Sequence, residues 1–169
     1  MNTFLELAQS RRSVRSYRPQ PVEPDVLRYV LEAARWAPSA KNAQPLKFRV
    51  VSDPQKRSAL SVAYPKPWFR DAPHVVAVCV NPSAAYVRGH DGMNFAWVDA
   101  ALAMDHLQLA AAERGLGTCW IGAFDPAAAA AALGLPDGWQ VAGMTPVGYP
   151  AAEAAPKPSR KPLGELLAP

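Results

Sequence analysis

The chain has 169 residues, half of them hydrophobic and 19% charged, which fits one globular domain and is too apolar for a disordered segment. Lys and Arg total 18 against 14 Asp and Glu, a net charge of +4. No run reaches the roughly 18 apolar residues of a membrane span, MNTFLELAQSRRSVR carries its charges after its apolar run rather than before it as a signal peptide does, and two cysteines make neither a disulfide framework nor a zinc site, so a cytoplasmic protein with no membrane partner and no metal is expected.

Residues 3–10 read as a short helix with Phe4, Leu5, Leu7 and Ala8 apolar. RRSVRSYRPQPVEP is basic and proline-broken, hence loop or extended chain. Pro24 opens a helix over about 25–37, with Val26, Leu27, Val30, Leu31 and Ala34 at helical spacing and Pro38 as its stop. Leu46–Val51 alternates in period two and reads as a strand. Asp53-Pro54 starts a helix reaching about Ala63, and Val75–Val80 is an apolar, β-branched run that fits a buried strand. Residues 82–92 show no clear element and read as an excursion.

From Met93 to Arg114 the pattern MNFAWVDAALAMDHLQLAAAER predicts a long helix, apolar around most of its circumference and ended by Gly115 and Gly117. Thr118–Ile121 is a short strand, Asp125-Pro126 caps an Ala-rich helix to about Leu133, and Trp139–Val147 is a further strand. The Pro-rich tail over 150–169 ends in a helical turn at 163–167. Alternating strands and helices predict an α+β or α/β domain over residues 1–169. A small sheet cannot cover every face of the long helix, so a homodimer is expected.

The charge excess is local. Residues 1–50 carry nine basic and four acidic residues, a balance of +5, while residues 51–169 carry nine and ten, a balance of −1. Such a basic third fits a nucleic acid, an acidic surface or a small phosphate. Arg11-Arg12-Ser13-Val14-Arg15 is its densest part; planar guanidinium groups and a hydroxyl suit a phosphate, and a solvated turn has the same composition. Pro38-Ser39-Ala40-Lys41-Asn42-Ala43-Gln44-Pro45 sets a hydroxyl, two amides and an ammonium on stiff backbone, which suits a heterocycle edge as well as a polar turn. The glycines of Gly115-Leu116-Gly117-Thr118-Cys119-Trp120-Ile121-Gly122 allow close backbone approach, but not as a Rossmann pyrophosphate loop. His74, His90 and His106 lack metal-ligand spacing, and Asp99 and the Asp105–His106 pair read as satisfied polar groups. No stripe or motif for nucleic acid is present.

Together, RRSVRSY, the helix end AARWAPSAKNAQP, the following strand, LAAAERGLGTCWIGAF, LGLPDGWQVAGMTPVGYP and the tail PSRKPL resemble the FMN-dependent nitroreductase family, in order and from about Leu5 to Leu167. The resemblance implies a homodimeric α+β fold: a mixed sheet of about four to five strands flanked by helices, a long central helix at the dimer interface, and two FMN sites between subunits. By position it implies that Arg11, Arg12, Ser13 and Arg15 bind the FMN phosphate, ribityl chain and ring polar groups, with Arg160 and, less closely matched, Lys161 on the phosphate. It implies that Pro38, Ser39, Ala40 and Asn42, extended by Gln44, line the isoalloxazine from the partner subunit, and that Ile121 and Gly122 lie near the rest of the ring. Trp68, Phe69, Tyr86 and Phe95 are the aromatic candidates for a pocket wall. No side-chain nucleophile is then needed, because flavin N5 carries the chemistry. NAD(P)H would reduce the flavin and leave, and a quinone or nitroaromatic would be reduced in a second, ping-pong step. The alternatives are a flavin store of the same fold with little turnover and a basic nucleic-acid-binding module.

Overall fold

The computed structural model describes residues 3–151 and 159–168. Four strands form one sheet in the order β1-β2-β4-β3, with β1 Leu46–Val51, β2 His74–Val80, β3 Gly117–Thr118 and β4 Gln140–Gly148. All three ladders are antiparallel. Among the described residues the one parallel pairing is an isolated bridge between Ser13 and Thr118, where Val14 N–H donates to Thr118 O at 2.8 Å. That bridge lays the basic segment along β3 in the manner of a fifth strand.

Period two assigns each residue of β2 to a layer. Val75, Ala77 and Cys79 pack with Leu60, Phe69, Ala129 and Met144, while Val76, Val78 and Val80 pack on the opposite face with Val30, Ala100, Met104 and Leu107. Both faces are therefore covered, which is why the run over 75–80 is apolar throughout instead of alternating. Burial pushes the Cys79 thiol up to about 11, so it stays a neutral core group. One face carries helices α3 Pro54–Leu60, α4 Pro67–Asp71 and α6 Pro126–Leu133; the other carries α2 Pro24–Arg35 and the long α5 Ala96–Glu113, with α1 Phe4–Ser10 against α5.

Local chemistry sets the helix ends. Thr3 and Glu6 form a reciprocal capping box on α1. Asp53 caps α3 by accepting Lys56 N–H at 2.9 Å, and Asp125 caps α6 by accepting Ala127 and Ala128 N–H at 2.9 and 3.0 Å. Gly115 ends α5 at φ +70, where Leu116 N–H returns to Ala111 O at 2.8 Å. Among the described residues no helix is long and apolar enough to cross a membrane.

Several expectations change. α5 starts at Ala96 rather than Met93, because Asn94 Oδ1 accepts Ala96 N–H at 2.9 Å and residues 93–95 are engaged elsewhere. The excursion over 82–92 is built: Pro82–Ala84 form a 3-10 turn, Val87 bridges Asn94, and Arg88 pairs with Asp91 at 2.5 Å. α3 stops at Leu60, and the five-residue α4 that follows was not anticipated. β3 shortens to two residues, with Ile121 returning to β4 as an isolated bridge to Met144. The turn at the end of the tail is Leu163–Glu165. His106 does not pair with Asp105; its Nδ1 lies 3.0 Å from Leu102 O one turn earlier. On α5, Trp97 and Leu102 stay exposed beside nine buried residues, so the helix keeps an uncovered side.

Candidate functional site

The basic segment owes its place to β3. Ser13 bridges Thr118, Tyr17 bridges Pro150, and Ala151 N–H donates to Ser16 O at 3.0 Å, so residues 13–18 are stitched between β3 and the chain leaving β4. Tyr17 O–H donates to Val14 O at 2.6 Å, and burial pushes its phenol far above the ordinary range, so it remains a donor. Gly117 makes the approach possible: a Cβ there would stand 2.7 Å from Val14 Cβ and Cγ1.

The five residues 11–15 are not equivalent. Arg12 Nη1 donates to Gln9 O, Ser10 O and Arg11 O at 2.6, 2.7 and 3.1 Å, closing the C-terminus of α1, and its buried Nε has no partner. Arg11 and Ser13 are half-buried. Arg15 sets its guanidinium carbon 6.0 Å from the Trp68 ring of α4. The ion pairs of the described residues lie elsewhere, at Glu32–Arg35, Arg70–Asp71 and Arg88–Asp91. A donor set with an orphaned buried N–H and no facing carboxylate fits a bound anion.

Ile121 and Gly122 are on the same edge. Ile121 is buried and its N–H and C=O both bond Met144, at 2.8 and 3.1 Å, so its side chain belongs to the core while Gly122 beside it is exposed. Phe69, one of the aromatic candidates, is fully buried under the sheet; Trp68 is half-buried next to Arg15. Arg160 and Lys161 are exposed, and Arg160 Nη1 donates to Ser159 O at 2.8 Å rather than to the basic segment.

The Pro38–Gln44 segment stands at another corner. Ser39 O accepts Asn42 N–H at 2.9 Å, Ala40 O accepts Ala43 N–H at 3.1 Å, and Ser39 Oγ accepts Gln44 N–H at 3.0 Å. Lys41, Asn42 and Gln44 take left-handed backbone at φ 53, 54 and 50, a costly conformation for residues with a Cβ and one that concentrates at ligand sites. Asp99, in the first turn of α5, is 1% exposed and accepts Ala40 N–H at 3.0 Å, while its Oδ2 has no partner. The reading of Asp99 as fully satisfied is thus half met. Asp99 is the contact that sequence reasoning missed, since nothing local links it to Ala40.

The two segments do not meet within one chain. Pro45 O accepts Asn81 N–H at the Val80 end of β2, whereas Ser13 joins β3 at the His74 end, across the sheet. Three strand gaps of ~4.8 Å and six rises of ~3.3 Å put them about 25 Å apart.

A family model described as Nitroreductase family matches residues 8–64 and 61–149. The chain belongs to this family. It is 31% identical to a protein of Thermus thermophilus named NADH dehydrogenase, over 95% of this chain and 92% of that one. It is 30% identical to a Bacillus subtilis protein named FMN reductase, NAD(P)H, over 94% and 70%. A crystal structure of a nitroreductase family protein from Clostridium difficile superposes with a TM-score of 0.91 at 30% identity, covering 99% of this chain and 98% of that one. The nitroreductase fold expected from the motifs is therefore present, and the protein is an oxidoreductase of the nitroreductase family.

Proposed function

We propose that the protein is an FMN-dependent NAD(P)H oxidoreductase that reduces quinones, nitroaromatics or similar oxidised small molecules, with two sites in a homodimer. The observation that carries this reading is the diagonal separation of the two candidate segments. One ring system cannot touch both Arg11–Arg15 and Pro38–Gln44 of one chain, but a second copy turned about a two-fold axis brings the partner's loop to the β3 edge. The exposed apolar residues Phe4, Leu5, Trp97, Leu102, Leu163, Leu166 and Leu167 supply surface for such a contact.

In this reading Arg11 and Ser13 hold the phosphate and ribityl oxygens, and Arg15 faces the polar side of the ring. Positive charge there favours the extra negative charge that the bound group takes up on reduction. Arg12 fixes the C-terminus of α1 through Nη1 and offers its unpartnered Nε–H to the phosphate or ribityl oxygens. Gly122 leaves room for close approach, and Ser39, Ala40, Asn42 and Gln44 cover the ring from the partner. FMN, when bound, supplies the two-electron carrier between NAD(P)H and the acceptor. Arg160 and Lys161, on the tail that leaves β4 beside residues 16–18, are the further phosphate contacts of this reading.

Two measurements test the reading. The purified protein should be yellow and release FMN, and NAD(P)H oxidation should be stimulated by menadione or a nitrofuran with parallel double-reciprocal lines. A colourless protein that takes up no added FMN overturns it. Bound FMN without stimulated oxidation leaves the flavin-store alternative instead.

A further inference from the structure

The excursion over 82–95 packs against the 39–44 loop and forms a wall of rings and cations. The Tyr86 and Phe95 rings are 5.5 Å apart and tilted by 51°. Lys41 Nζ lies 4.8 Å from the Tyr86 ring, and the Arg88 guanidinium lies 5.6 Å from the Phe95 ring. The wall is held by Phe95 N–H to Tyr86 O at 2.9 Å and Arg88 N–H to Met93 O at 2.9 Å.

The two cations differ in what balances them. Arg88 is neutralised by Asp91, with Nε–Oδ1 at 2.8 Å and Nη2–Oδ2 at 2.5 Å. Lys41 has no carboxylate within ion-pair distance among the described residues. Its backbone is left-handed at φ 53, in a loop pinned by Asp99 to α5, and its exposed side chain lies against Tyr86. An uncompensated ammonium against an aromatic wall is a recognition element for a flat anion: the rings supply apolar surface, and the charge supplies sign selectivity.

We propose that Lys41, set on the Tyr86–Phe95 wall, selects anionic aromatic acceptors, such as nitroarenes or quinones carrying a carboxylate or sulfonate, at the site that the 39–44 loop lines. This rests on the oxidoreductase reading of that site. Reduction of such a quinone to its hydroquinone, or of such a nitroarene to its nitroso compound with release of one oxygen as water, consumes two electrons and two protons. NAD(P)H delivers the electron pair with one proton as hydride, and solvent provides the other proton. The carboxylate or sulfonate is untouched, so Lys41 acts on binding and not on the bonds that change.

The test compares para-nitrobenzoate with its neutral isostere para-nitrobenzamide in steady state with FMN-loaded protein and saturating NAD(P)H, since in a ping-pong scheme kcat/KM for the acceptor is independent of nicotinamide binding. The expected result is that Lys41→Gln lowers the ratio of kcat/KM for the benzoate to that for the benzamide about five-fold, the factor an exposed ion pair of up to ~1 kcal/mol supplies. The change falls on KM, and Lys41→Arg restores the ratio. In the unmodified protein, salt raised from about 0.01 M to about 1 M, which contracts the screening length from ~30 to ~3 Å, should erase the preference for the anion. A ratio unmoved by Lys41→Gln overturns the proposal, whatever salt does, while leaving the oxidoreductase reading intact. Reduction of neither compound, nor of menadione, overturns that reading and the proposal with it.

Discussion

Gly117→Ala is the sharpest test of how the basic segment is held. The added Cβ would stand 2.7 Å from Val14 Cβ and Cγ1 and 2.8 Å from Cγ2. Ordinary carbon contacts begin near 3.5 Å, so the two strands must part by close to an ångström. Val14 cannot rotate out of the way, because its own Cβ is among the clashing atoms. Opening the pair stretches the 2.8 Å bond from Val14 N–H to Thr118 O and lifts Ser13 from its bridge. Overpacking of this kind costs about 1–3 kcal/mol. In a domain of this size that lowers Tm by roughly 2–4 °C per kcal/mol. FMN affinity should fall further than stability, since Arg11, Ser13 and Arg15 all ride on the displaced strand. Calorimetry and fluorescence titration of the apo-protein with FMN measure the two effects. Removing the opposing Cβ with Val14→Gly in the Gly117→Ala background should restore FMN binding, a coupling that a double-mutant cycle isolates. If Gly117→Ala binds FMN as tightly as the parent and melts at the same temperature, the account of Gly117 is wrong.

Arg11→Ala should weaken FMN binding roughly ten- to a hundred-fold, the value of one charge-assisted hydrogen bond, with little change in Tm; loss of an idle surface charge would leave affinity unchanged in the same titration. Asp99→Ala removes the acceptor of Ala40 N–H and should cost about 1–2 kcal/mol in thermal melts, while Asp99→Asn, which keeps an acceptor there, should retain most of that stability. His74 gives a pH signature. Its Nε2 accepts Val22 N–H at 3.1 Å and its Nδ1 lies 2.8 Å from Ser52 Oγ, so the folded state needs the neutral ring. Burial, with help from the Arg57 charge, lowers its pKa below the ordinary value of about 6.5. The unfolded chain therefore binds the proton more readily: this stability is fully present above about pH 6.5 and is lost as the pH falls below it toward the folded pKa. Denaturant melts between about pH 7.5 and 5 should show that decline, and His74→Gln should flatten it.

Much of the fold was legible because local chemistry dictates it. Asp53-Pro54 and Asp125-Pro126 announce helix starts with a cap and a preset φ, and Gly115 announces a stop. What escaped was set by distant partners. The five residues of α4 are too few for a periodic pattern, and the helix exists because Phe69 fills the core beneath the sheet. The excursion over 82–92 is ordered by Asn94 and Asp91, whose bonds are visible only once the chain has turned back. The site divides in the same way. The residue types of RRSVR suit an anion, but that Arg12 turns back onto α1 depends on where that helix ends in space. The Asp99–Ala40 contact joins segments that sequence alone does not relate.

In the proposed dimer the separation of the two candidate segments has a genetic consequence. α5 starts beside Ala40 and leads through Gly115 directly to Gly117, so its length of roughly 27 Å fixes the distance between them. In a two-fold dimer each chain then contributes its β3 edge to one site and its 39–44 loop to the other. In the proposed FMN site, a lesion in Arg11 and a lesion in Asn42 would damage different halves. When two such inactive chains are co-expressed, every mixed dimer carries one doubly damaged site and one wholly intact site. Random pairing restores about a quarter of the sites, so two alleles that are each null should complement one another.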